Sequence, residues 1–145
     1  CLIHEYPRLI DHPDARLVAE HVIEAGAYLA RMQREGALRT DFTEIPMTAT
    51  YHTPCHLRTL GHSTPLAELC NLIPRLNLQR VSTGCSGMAG SFGLTRENIA
   101  DSVAMGRELI ERMRSDAHEL GLTECSSCRI QMEHRTPTPT LHPLK

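Results

Sequence analysis

"MTATYHTPC", residues 47–55, is the stretch from which the rest of the chain can be read. Its β-branched and aromatic residues predict a strand over 47–53. Pro54 stops that strand, and Cys55 follows the stop. The same arrangement recurs twice. "LQRVS", 78–82, predicts a second short strand that runs into the glycine-rich "STGCSGMAGSFGLT" and Cys85. "LTECSSCRIQME", 122–133, reads as a very short strand or extended stretch, then a turn holding Cys125 and Cys128, then a helix start. A cysteine therefore stands just beyond each of three expected strands.

Helical patterns lie between them. In 13–35 the apolar residues Val18, Val22, Ala25, Leu29 and Met32 recur at steps of four and three, with Pro13 suited to the first turn and Gly36 to the stop. After the loop 54–65, Ser63 is placed to cap a helix of about ten residues with Pro65 in its first turn and Leu66, Leu69, Cys70 and Ile73 on its buried stripe. The longest helix is expected over 96–120, capped by Thr95, packed through Ile99, Val103, Ile110, Met113, Ala117 and Leu120, and ended by Gly121. The proline-bearing tail from His134 reads as extended. Strands alternating with helices predict an α/β domain with a small, largely parallel, Rossmann-like sheet flanked by helices. Cys55, Cys85 and Cys125 then share the carboxyl edge, where open parallel sheets bind ligands.

With 145 residues, 41% hydrophobic and 22% charged, the chain is long enough for one ordinary core. Its formal net charge of -2 and lack of long like-charge runs argue against a nucleic-acid surface. No apolar run approaches the length of a transmembrane helix, and the first residues lack the pattern of a signal peptide. The chain opens on Cys1 without an initiator methionine and is read as a piece of a longer, cytoplasmic protein. Six cysteines at uneven spacing suit metal or redox chemistry better than a disulfide scaffold.

Cys55, Cys85, Cys125 and Cys128 together make a four-thiolate set, which suits zinc or an iron–sulfur cluster. A compact zinc site usually has two tight pairs, whereas here only Cys125 and Cys128 are close, so ligands spread over three loops fit a cluster better. Gly84, Gly87 and Gly90 would let the loop around Cys85 approach a cofactor and aim its amides inward. A phosphate cradle is the rival reading of those glycines, but the spacing is GxxGxxGxxG and no Lys-Ser or Lys-Thr follows.

The segments "YHTPCHLRTLG", "GCSGMAGSFGL" and "TECSSCRIQME", in this order, resemble the cysteine-rich CCG domain over about residues 47–145. That domain occurs in heterodisulfide reductase, in the iron–sulfur subunits of anaerobic glycerol-3-phosphate dehydrogenase and glycolate oxidase, and in FAD-linked hydroxyacid dehydrogenases. The resemblance implies two units in tandem: residues 1–46 would be the end of a preceding CCG unit plus a connecting helix, and 47–145 the second unit. Cys1 would then be the preceding unit's last ligand. Cys55, Cys85, Cys125 and Cys128 match the family's cysteines, while Ser86 falls where an adjacent second cysteine is normal. That departure speaks against a five-cysteine noncubane cluster and for an ordinary [4Fe–4S] cluster, to which Ser86 could hydrogen-bond. The form "CSGMAG" is more similar to the hydroxyacid-dehydrogenase branch. The implied function is an electron-transfer module of a flavin-dependent dehydrogenase. FAD would sit in another part of the protein or in a partner subunit, and the acceptor would be quinone-linked. Attachment to the inner membrane would run through a partner.

Several residues have plainer readings. Cys70 is expected in the core, as are Met32 and Met113, and His12, His21 and His118 on the surface. His52, His56 and His62 surround Cys55 in what reads as an exposed polar loop, so hydrogen bonding by His56 beside Cys55 is favoured over direct ligation. Met88 could shield a cofactor or fill a gap. The competing functional readings are a zinc-stabilised interaction domain and a CxxC dithiol oxidoreductase.

Overall fold

The structure, a computed structural model, describes residues 1–61, 64–81, 84–114 and 118–145. Its centre is a four-stranded sheet of β1 (Met47–His52), β2 (Leu76–Val81), β3 (Leu120–Thr123) and β4 (Thr140–Leu141), in the order β2-β1-β3-β4 and parallel throughout. The described helices are α1 (Tyr6–Leu9), α2 (Pro13–His21), α3 (Ala25–Arg34), α4 (Cys55–Thr59), α5 (Pro65–Cys70), α6 (Ile99–Met105), α7 (Arg107–Met113) and α8 (Ser126–Arg135). The α/β class and the parallel sheet are those expected.

Alternation along the strands separates two cores. Ala49 pairs with Leu78 and Leu120, and Tyr51 with Leu122, so these side chains share one face. There Ala49, Tyr51 and Leu122 pack with Ala67 and Cys70 of α5, and Leu76, Leu78, Leu120 and Leu141 close the edges. Cys70 is thus a core residue, as expected. The opposite face carries Thr50, His52, Gly121 and Thr123, and Val81 there packs with Leu109, Met113 and Met132 of α7 and α8. Each fully buried leucine or methionine contributes about 2 kcal/mol of transfer free energy.

This topology has a switch point. From β1 the chain leaves through α5 to β2 on one side, and from β3 it leaves through α8 to β4 on the other. The connections after the neighbouring strands β1 and β3 therefore diverge and open a crevice at the carboxyl edge. Among the described residues no helix is long and apolar enough to cross a membrane.

Four expectations about helices need correction. The helix over 13–35 is interrupted: Val22 and Glu24 are extended, and the Glu24 carboxylate accepts from the amides of Gly26 and Ala27 at 2.9 Å, starting a new helix. Val18 is exposed, and α2 buries only Ala15. The loop 54–65 contains α4, which begins at Cys55 itself. The helix expected after Pro65 stops at Cys70, and β2 starts earlier, at Leu76. Ser63 and Ala117 lie outside the described residues.

The helix over 96–120 is divided at Gly106 and ends at Met113, while Leu120 and Gly121 belong to β3. Gly106 lies against the loop after β2: a Cβ there would stand 2.5 Å from the Ser86 carbonyl oxygen. Gly121 ends no helix. It gives Met113 and Met132 room, since its Cβ would lie 2.6 Å from Met113 Cε. His118, expected at the surface, is buried and donates from Nε2 to the Met113 carbonyl at 3.1 Å, satisfying one of the last carbonyls of α7. His12 and His21 are exposed, as expected.

Candidate metal centre

Each strand end delivers one part of a single concavity. Beyond β1, Thr53 and Pro54 carry the chain into α4, whose first residue is Cys55. The segment after β2 brings Cys85 and Ser86, and the end of β3 brings Cys125, after which α8 places Cys128 in its first turn. All four cysteines line one cavity of about 250 Å3, together with His52, His56, Arg58, Ser86, Ser127, Ala89 and Gly90. All are free thiols; Cys55 is exposed, Cys85 and Cys125 are half-buried and Cys128 is buried. Cys1 is exposed and is not among the lining residues.

Their hydrogen bonds are directed at sulfur. The Ser86 hydroxyl donates to Cys128 Sγ at 3.1 Å, and the Gly87 amide donates to Cys85 Sγ at 3.3 Å. Ser127 Oγ lies 3.2 Å from Cys125 Sγ. The CxxC pair shares a proton unequally. A hydrogen bond from the Cys128 thiol holds Cys125 well below the ordinary thiol range, against its partial burial. Cys128 is pushed up by that same contact and by burial. Of the pair, Cys125 is therefore the more acidic thiol and Cys128 the one that holds its proton.

The loop around Cys85 divides its glycines between two tasks. Gly90 lines the cavity, and Gly84 offers its carbonyl to the Arg58 guanidinium at 3.2 Å. Gly87 does not line the cavity. It has φ +81° and packs against α6, where a Cβ would lie 1.9 Å from the Ser102 carbonyl oxygen. Met88 is also absent from the lining and is buried, its sulfur 3.9 Å from Ser102 Oγ. The loop is therefore docked on α6 through one side while Cys85, Ser86 and Gly90 present the other.

His56 is exposed on α4 and lines the cavity. His62 lies outside the described residues. His52 is not in an exposed loop: it is the last residue of β1 and only 1% exposed. Burial, with the Arg58 charge adding to it, lowers its pKa to about 4, so its ring is neutral at physiological pH. Its Nδ1 lies 3.3 Å from Thr123 Oγ1, its register partner on β3.

Arg58 is a lining residue that sequence reasoning misses. Its guanidinium also donates to the Thr53 carbonyl at 3.4 Å and so ties the end of β1 to the loop after β2. The available signal is spacing: on a helix, Cys55 and a residue three further on share a face. Taking 55–59 as loop hides it.

A crevice at the switch point of a parallel sheet, lined by four thiols from three connections, is the mark of a cysteine-rich α/β module. This chain belongs to the CCG cysteine-rich domain family, whose pattern it matches over residues 49–133. It is 31% identical, over 97% of its length, to the C subunit of anaerobic glycerol-3-phosphate dehydrogenase from Escherichia coli K12, and equally to that from Escherichia coli O157:H7. The chain spans 35% of the length of these relatives. No solved structure matches it.

Proposed function

We propose that this chain is an iron–sulfur module of a flavin-dependent dehydrogenase, holding a [4Fe–4S] cluster through Cys55, Cys85, Cys125 and Cys128. The observation that carries the reading is the convergence of these four thiols, from three separate connections, on one cavity. Four soft donors are the complete ligand set for such a cluster. The spread of the four thiols over three connections, with only Cys125 and Cys128 close in sequence, supports a polynuclear group over a single ion.

A cluster bound there supplies one-electron transfer, between a flavin elsewhere in the parent enzyme or its partner subunit and a quinone-linked acceptor. The chain's own part is to bind and tune. Cys125 is prepared as a thiolate by Cys128 and Ser127. The Gly87 amide and the Ser86 hydroxyl donate to Cys85 and Cys128, withdrawing charge from sulfur. Arg58 places a positive charge at the rim, which favours a more negative site.

The relatives' name favours glycerol 3-phosphate as the parent enzyme's substrate over the hydroxyacids that the "CSGMAG" form suggests. We further assign residues 1–46 to the end of a preceding CCG unit, with Cys1 among that unit's ligands, and the inner membrane as the parent enzyme's location through a partner subunit. Anaerobic purification followed by cluster reconstitution tests the central claim. A brown protein with iron and sulfide in equal amounts, lost in Cys55→Ser and Cys85→Ser, is the expected result. A colourless chain that keeps one zinc, or one that only turns over dithiols, overturns it.

A further inference from the structure

Among the groups around the cavity, His52 is buried, borders the thiols and has an unsatisfied polar atom. Its Nε2 is shielded from solvent and has no hydrogen-bond partner among the described residues. Leaving such an atom unpaired costs about 1–3 kcal/mol, so a buried orphan points to a missing partner. The other ring nitrogen is engaged by Thr123 on the neighbouring strand. His52 lines the cavity that also holds Cys55, Cys85, Cys125 and Cys128.

A neutral imidazole carries one N–H, and the cavity's chemistry decides where it sits. Thiolate and sulfide sulfur are negative and accept hydrogen bonds, so a bare lone pair on Nε2 would face like charge. With four thiolates completing the ligand set, no iron is left for a nitrogen. We propose that His52 is a positioning residue whose Nε2–H donates to a sulfur atom of the group held by the four thiols, in a tautomer fixed by the Thr123 hydroxyl donating to Nδ1. This rests on the reading of the site given above. Donation to sulfur stabilises the more negative, reduced state and raises the reduction potential.

The tautomer is tested first, in the metal-free wild-type chain with 15N-labelled histidine. NMR is expected to find the proton on Nε2, and a proton on Nδ1 overturns the proposal whether or not a cluster is ever bound. The reconstituted protein is then compared with His52→Leu and His52→Gln by EPR-monitored redox titration. Loss of the donor in His52→Leu is expected to lower the equilibrium constant for reduction about tenfold, 59 mV for one electron. His52→Gln keeps an N–H and is expected to recover part of that loss. An unchanged potential in His52→Leu overturns the proposal, as does a strong nitrogen coupling in pulsed EPR of the wild type, which would mark direct ligation. If the wild type takes up neither iron nor sulfide, the reading of the site falls and this proposal with it; a loaded wild type with an indifferent His52→Leu removes the role of His52 alone.

Discussion

Ser86, which the resemblance to the family sets at the second position of its adjacent cysteine pair, has surroundings suited to a hydroxyl. The side chain is 2% exposed, donates to Cys128 Sγ and accepts from the Met88 amide at 3.4 Å. A hydroxyl is a harder, weaker ligand for iron than a thiolate, but a better donor to one. Ser86→Ala is therefore expected to leave the iron content unchanged while costing the metal-free chain about 1 kcal/mol in urea unfolding. A loss of iron equal to that of Cys85→Ser would make Ser86 a ligand instead. At the same carboxyl edge, Glu124, the residue before Cys125, accepts a hydrogen bond from the Tyr51 hydroxyl. Burial, and then the nearby Glu24 carboxylate, raise its pKa from 4.5 to about 7. The unfolded chain thus gives up this proton first. The contribution of the protonated form to stability is whole below pH 4.5 and is lost as pH rises through about 7. Melting temperatures of the metal-free chain should fall across that window, and Glu124→Gln should flatten the fall.

Among the elements, the glycine loop and the divided helix α6–α7 are the hardest to read from sequence, because each explains the other. Glycines three apart suggest a cradle open to a cofactor. Gly87 instead has its back against the Ser102 carbonyl, and Gly106 lies against Ser86, so loop backbone and helix backbone touch at two points. Side-chain periodicity says nothing about backbone meeting backbone, so Gly106 does not register as a break. Gly87→Ala is expected to cost several kcal/mol, since the new methyl meets a main-chain carbonyl that cannot move alone. Gly36→Ala makes the control. It has a similar φ of +71° but nothing within 4 Å of its Cβ, so only the left-handed conformation is penalised, at about 1 kcal/mol. Thermal unfolding of the two variants separates packing from conformation; equal losses would deny the docking.

At the scale of the whole molecule, the two cores and the thiol site are nearly independent. The packed clusters around Tyr51 and around Met113 lie on the two faces of the sheet, while the thiols belong to the connections beyond its carboxyl edge. A bound cluster would tie three connections together without being needed to form the sheet. Removing iron with a chelator is therefore expected to lower the melting temperature of the loaded protein while leaving its far-ultraviolet circular dichroism near the native spectrum. Identical melting curves before and after chelation would mean that the thiols hold nothing that links the loops.

Some of this was settled by the sequence alone. Strand chemistry in "MTATYH" and "LQRV", each leading to a cysteine and alternating with helical patterns, pointed to a parallel sheet with thiols at one edge, because local propensity and periodicity depend only on neighbours in the chain. The order β2-β1-β3-β4, the burial of His52 and the helix at Cys55 were decided by the tertiary structure. His52 falls at the end of the predicted strand, but nothing in the chain marks its burial until Thr123 is set beside it from 71 positions away. Such pairings join distant segments, and burial and hydrogen bonding at each residue follow from what the fold brings to it.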